Sequence, residues 1–203
     1  MQENCYVLRN ERGEALVIDP GCSNGEELGS LTDYIDENGL HPLAIIITHP
    51  HFDHISGVAA LRKKYGIDCW FNEVDRYVLD DIDYLSTLHG SHLDLGDDFR
   101  TFPPETVELG FGSFSLQVIS IPGHTLGSVA YYFPDDDALF AGDSLIKGSL
   151  SFVETGYDVV LKCIKEKILP LPAKTRLFYG HGDPSSIEEE MVNNRFFLRS
   201  AAL

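Results

Sequence analysis

Positive charge is what this chain has least of. Fifteen Lys and Arg stand against 32 Asp and Glu, a formal net charge of −17 at pH 7. Phosphate backbones are gripped by clustered cations, so this balance argues against a nucleic-acid surface and equally against docking on anionic membranes. Long apolar runs are missing as well: none approaches the roughly 18 residues a membrane span requires. Cysteine is sparse, and Cys5, Cys22, Cys69 and Cys163 lie far apart with no C-x-x-C pair. That argues against a disulfide framework or a thiolate zinc cluster and predicts reduced, packed thiols in a cytoplasmic protein. The opening Met1-Gln2-Glu3-Asn4 carries no signal-peptide pattern, which adds to the cytoplasmic expectation.

What is present fits one globular unit. At 203 residues and 43% hydrophobic, the chain can bury one sizeable core and is short for two, so a single domain over 1–203 is expected. Cys5–Leu8 and Ala15–Ile18 read as strands around a turn at Asn10–Gly13. Ser23-Asn24-Gly25-Glu26 has capping-box spacing, and Leu28, Leu31 and Ile35 form a helix stripe stopped at Gly39. A second helix closes at Gly66, strand Ile67–Phe71 follows, and Glu73–Asp80 reads as helical with Val74, Tyr77 and Val78 inward. Asp81–Glu105 has no firm period and suits a lid or pocket wall, with His89 and His92 as substrate-wall or solvent-facing residues. Strands are predicted at Thr106–Leu109, Phe114–Ile121, Val129–Phe133, Ala138–Ala141 and Thr175–Tyr179. An amphipathic helix spans Tyr157 to Ile168, and a last helix starts at a capping box from Ser185 to Glu188. Two mixed sheets face to face with helices outside would bury every stripe.

The chemistry concentrates in Ile45-Ile46-Ile47-Thr48-His49-Pro50-His51-Phe52-Asp53-His54. An apolar strand of this kind is buried on both faces, and the residues beyond its C-terminal end sit at a sheet edge, where α/β proteins place their sites. A lone histidine is usually a surface or hydrogen-bonded residue. Four candidate ligands in six positions, stiffened by Pro50, instead suit a metal that takes nitrogen and oxygen donors. Three later strand ends repeat the pattern, each delivering one potential ligand beside a glycine: Gly123-His124, Gly142-Asp143 and Gly180-His181.

His49-x-His51-x-Asp53-His54, followed by His124, Asp143 and His181, resembles the complete ligand set of the metallo-β-lactamase superfamily. Asn4-Cys5-Tyr6-Val7-Leu8, Ile18-Asp19-Pro20-Gly21, Pro122-Gly123-His124-Thr125-x-Gly127-Ser128 and Gly142-Asp143-Ser144-Leu145 are similar to the small glyoxalase II-like hydrolases within it. The resemblance implies a four-layer αββα sandwich with two divalent ions at its edge: zinc, with iron or manganese as alternatives. His49, His51 and His124 would hold the first ion, Asp53, His54 and His181 the second, and Asp143 would bridge them. Asp53 would also orient the nucleophile or take a proton. The implied activity is hydrolysis of a small-molecule thioester such as an S-acylglutathione, with no nucleic acid or membrane partner.

The chain departs from the small relatives in three ways. Phe152 stands where their Gly-Arg-Thr-Asp run has arginine, with Lys147 the nearest basic candidate in sequence. The helical domain that larger glyoxalase II enzymes use to grip glutathione is missing, and the strand expected before Asn4 is absent, as if the opening were clipped. Other readings are a mononuclear iron persulfide dioxygenase using the positions of His49, His124 and Asp143, a lactonase-type hydrolase or β-lactamase, and a non-catalytic metal-binding relative.

Overall fold

The computed structural model describes residues 2–82 and 99–198; His89, His92 and most of the proposed lid lie outside the described residues. Strand β3 (His41–Ile46) is central to the first sheet. Its residues alternate between two cores, Ile45 pointing to the helices and Ala44 and Ile46 to the second sheet. That two-sided burial is why the strand reads as continuous hydrophobicity rather than alternation.

The first sheet runs β1 (Tyr6–Arg9), β2 (Glu14–Ile18), β3, β4 (Asp68–Asn72) and β5 (Arg100–Phe102) in that order. β1 and β2 form an antiparallel hairpin, and the remaining pairings are parallel. The second sheet is built from β6 (Glu108–Phe111), β7 (Phe114–Ser120), β8 (Val129–Phe133), β9 (Ala138–Phe140), β10 (Arg176–Phe178) and β11 (Ser185–Ser186), in the order β11-β10-β9-β8-β7-β6. Only β9 and β10 pair in parallel there. Leu16, Ile18 and Ile46 meet Leu116, Tyr131 and Phe140 between the sheets.

Helices α1 (Gly25–Glu37), α2 (Phe52–Ile55) and α3 (Val58–Tyr65) are on the first-sheet side, where Ile35, Ile55 and Leu61 join Ala15, Val17 and Ile45. Helix α4 (Arg76–Asp80) follows β4. On the second-sheet side lie α5 (Tyr157–Cys163), which continues as a π-helical turn over Ile164–Ile168, then α6 (Ile187–Asn193) and α7 (Arg195–Leu198). Val160, Ile164 and Ile187 pack there on Ala130, Leu139 and Leu177. Helices, two mixed sheets and helices again make the four layers expected. No helix of the described residues is long and apolar enough to cross a membrane.

Several local readings change. Asn24, not Ser23, caps α1, its Oδ1 accepting from the Glu26 and Glu27 amides, while Ser23 bonds the Glu27 carboxylate. Ser186, not Ser185, caps α6; Ser185 is buried, paired in β11 and bonded to Glu190. In both cases adjacent polar residues could each cap, and tertiary pairing chooses between them. β5 falls inside the stretch read as loop, because three residues are too few to display a period. The segment Glu73–Asp75 is a 3₁₀ turn. Its tighter winding turns Val74 outward, 36% exposed, and buries Asp75 at 1%, while Val78 is inward as expected.

Candidate metal centre

The two sheets are pinned together where β3 ends. Val129 N donates to Thr48 O at 3.0 Å and Tyr131 Oη to Ile47 O at 2.7 Å. Thr48 is in turn seized by Asp19, the residue after β2, whose carboxylate accepts from Thr48 N at 2.8 Å and Thr48 Oγ1 at 2.6 Å. Asp19 is 2% exposed and has φ of 48°, a left-handed backbone that a non-glycine residue keeps only when its surroundings fix it. The same carboxylate bonds His54 Nδ1 at 3.1 Å.

Four imidazoles follow one rule. Each turns Nδ1 to an oxygen and leaves Nε2 for the centre. His49 Nδ1 lies 3.2 Å from Thr48 Oγ1, His54 Nδ1 is on Asp19, His124 Nδ1 is 2.7 Å from Phe152 O, and His181 Nδ1 is 2.8 Å from Gln2 O. Because these partners accept, each Nδ1 carries a proton and Nε2 is the nitrogen left to face a metal, the arrangement that outer hydrogen bonds impose on metal-ligating histidines. His51 contributes Nδ1, 3.0 Å from His124 Nε2. The His49, His51 and His124 rings stand mutually near-perpendicular with centroids 4.6 to 4.7 Å apart.

Asp143 occupies the middle. Its Oδ1 is 3.7 Å from His54 Nε2, and its Oδ2 is 3.6 Å from His124 Nε2 and 3.4 Å from His181 Nε2. Asp53 Oδ2 is 3.4 Å from His181 Nε2. All seven residues singled out in sequence thus come together, in three overlapping groups whose donor atoms lie within 4.8 Å of one another: His49, His51 and His124; His49, His54 and Asp143; Asp53, His54 and His181. Gly180 allows this closeness, since a Cβ there would fall 2.1 Å from Asp143 Oδ1 and 2.6 Å from His54 Cε1.

Electrostatics divides the cluster. Burial and then the neighbouring imidazoles push His49 far below the ordinary range and His51 down to about 4, so both are neutral donors. Burial opposes ionisation of Asp53, but the His181 bond and His54 hold it down to about 2. The Asp53 bond lifts His181 to about 9 against burial. His54 is raised too, the bond and charge of Asp19 overcoming burial. A region that draws protons onto its imidazoles is one where carboxylate charge calls for a cation.

The donors fit a metal on a further count. His49 Nε2, His54 Nε2 and Asp143 Oδ1 are buried without any hydrogen-bond partner among the described residues. Leaving such groups unpaired costs about 1–3 kcal/mol each, and cations coordinated by these atoms would remove that cost. Glu3 was not anticipated. Its side chain is buried, Oε1 is 3.9 Å from His54 Nδ1, and burial with Asp19, Asp53 and Asp143 nearby raises its carboxyl to about 10. Nothing in composition or spacing marks it, since only the fold carries Gln2 and Glu3 to this edge. A separate cavity of about 690 Å³, lined by Arg9, Asn10, Phe133 and Asp135 among others, lies at the opposite strand ends and contains none of the candidate ligands.

Removing the Asp19 carboxylate exposes how much it holds. Asp19→Ala is expected to destabilise the protein by about 2–3 kcal/mol, through the unpaired Thr48 amide and hydroxyl, and to weaken metal binding by about 10–100-fold. Urea denaturation and metal titration measure the two; unchanged values for both would show that Asp19 supports neither loop.

An αββα sandwich with histidines and aspartates gathered at one edge of its sheets has the architecture of a metallo-hydrolase. The chain belongs to the metallo-beta-lactamase superfamily, whose family profile matches residues 1–181. It is 33% identical to the probable metallo-hydrolase YqgX of Bacillus subtilis over 97% of this chain and 92% of that protein. It is 28% identical to hydroxyacylglutathione hydrolase GloC of Haemophilus influenzae over 96% of this chain and 92% of that one. Among solved structures, the crystal structure of BLEG-1 B3 metallo-beta-lactamase superposes with a TM-score of 0.86 at 34% identity, covering 97% of this chain and 94% of that chain.

Proposed function

We propose that this protein is a binuclear metal hydrolase of small-molecule thioesters. His49, His51 and His124 would hold one ion, Asp53, His54 and His181 the other, and Asp143 would bridge them. The observation that carries the reading is the set of partnerless buried donors at the centre of the cluster, His49 Nε2, His54 Nε2 and Asp143 Oδ1. Paired ions in such a site supply Lewis acidity and lower the pKa of water toward about 7. The chain's own residues do the rest. The Nδ1 bonds fix the imidazole planes, and Asp53, ionised at neutral pH, orients the attacking water or takes its proton. A thiolate leaving group departs without a general acid, which suits a site whose buried His49 and His51 are neutral.

The thioester assignment is supported by the similarity to GloC. Recognition of the remainder of the substrate differs from the small relatives. Phe152, 72% exposed, projects from the segment whose carbonyl holds His124, and Lys147 spends its ammonium on Pro184 O at 3.1 Å. We propose zinc as the metal, with iron and manganese as alternatives, and a cytoplasmic single-domain enzyme over 1–203 with no nucleic acid or membrane partner. The test is thiol release from S-lactoylglutathione by protein loaded separately with zinc, iron and manganese. Turnover with at least one metal, abolished by a chelator and restored by the ion, is expected. Its absence alongside cephalosporin hydrolysis would favour a second reading, β-lactam hydrolysis, for which the similarity to BLEG-1 speaks.

A further inference from the structure

The turn that carries His124, between β7 and β8, is not itself part of a helix or strand. Something else must hold it against the centre. His124 has its ring fixed by Phe152 O, but a ring is only as well placed as the backbone beneath it. That backbone is gripped from the 3₁₀ turn after β4. Asp75 Oδ1 accepts from Gly127 N at 2.6 Å, and Asp75 Oδ2 accepts from Thr125 Oγ1 at 2.6 Å. With its proton given to Asp75, the Thr125 hydroxyl accepts from Ser128 Oγ at 2.6 Å, and Ser128 Oγ accepts from Thr125 N at 2.9 Å. A Cβ at Gly127 would sit 2.7 Å from Asp75 Cγ, so the carboxylate lies directly against the turn.

A parallel tie runs beside it. Tyr77 Oη accepts from Leu126 N at 3.2 Å and donates to Glu154 Oε2 at 2.6 Å, while Glu154 N donates to Gly123 O at 2.7 Å. The segment 75–77 therefore joins the His124 turn to the stretch whose Phe152 carbonyl orients the ring. Asp75, Thr125 and Ser128 are all buried. Burial raises the Asp75 carboxyl to about 6 and the charge of Glu154 adds to the rise, with only the Thr125 and Gly127 bonds opposing. A buried carboxylate with no cation beside it among the described residues is expensive to keep. An apolar residue would fill the space more cheaply, but it could not accept both the N–H and the O–H of one turn.

We infer that Asp75 is a positioning residue for the first metal group, fixing the His124 turn so that Nε2 meets His49 and His51. The inference rests on the ligand reading proposed above. Two backgrounds isolate the effect: His181→Ala leaves the first group of ligands intact, and His51→Ala leaves the second. Zinc affinity is read by competition with a chromophoric chelator. In the His181→Ala background, D75A lowers affinity by about 10–100-fold, the range for losing an outer partner of a metal ligand. D75N, which keeps an oxygen for Gly127 N, loses less. In the His51→Ala background D75A leaves affinity within about twofold. Equal losses in both backgrounds, or none in either, overturn the inference while leaving the metal centre standing. Wild-type protein that binds no zinc overturns both. Thr125→Val removes the same hydroxyl bond from the other side and reproduces the site-selective loss; it decides the matter should D75A not fold.

Discussion

On the binuclear thioesterase reading proposed above, alanine at Asp143 is expected to lower kcat/KM for thioester hydrolysis by at least about 10³-fold and to reduce bound metal from two equivalents to one or fewer. Its carboxylate lies between imidazoles of both proposed ion sites: its oxygens are 3.4 to 3.7 Å from the Nε2 atoms of His54, His124 and His181. Its removal takes one shared anionic donor from both groups and leaves those three imidazoles facing each other. Elemental analysis of the purified variant, together with a thiol-release assay, measures both effects. Two retained equivalents with activity inside tenfold of wild type would place the bridge elsewhere and sink the assignment of Asp143.

Gly180→Ala is the second. The new methyl would lie 2.1 Å from Asp143 Oδ1 and 2.6 Å from His54 Cε1, closer than atoms can approach, so the carboxylate or the imidazole must swing away. Gly180 is not among the glycines with positive φ, and alanine can adopt its backbone conformation. The expected outcome is therefore selective: hydrolysis falls by about 10²-fold or more, consistent with the sensitivity of reacting geometry to ångström-scale displacement, while the metal-stripped protein melts within a few degrees of wild type. A thermal melt of apo protein and a metal titration separate these. If the apo protein unfolds at far lower temperature, the glycine serves the fold rather than the site.

How much of this was legible beforehand varies by element. The strand Ile45-Ile46 and the ligand loop after it were readable because the pattern is local: a short apolar run, a proline and four donor residues in succession. The helix ends at Gly39 and Gly66 were readable for the same reason, each glycine taking a positive φ just past the helix. Harder were the caps at Ser23 and Ser185, where neighbouring residues offered equal local chemistry. Val74, expected inward on a helical period, faces solvent because Glu73–Asp75 winds as a 3₁₀ turn, which buries Asp75 instead. Glu3 carried no signal at all, being a single acidic residue in an acidic chain.

The candidate ligand residues and their order along the chain were written in the sequence, because donor side chains of this kind stand at strand ends beside glycines that can be recognised one turn at a time. Which donors would face each other was decided only by the folded sheets, since His49, His124, Asp143 and His181 come from four separate strand ends that meet only when the strands are laid in register. The same holds for the carboxylates behind them. Asp19 and Asp75 reach their partners across 29 and 50 residues of sequence, and no local pattern encodes a hydrogen bond over that separation.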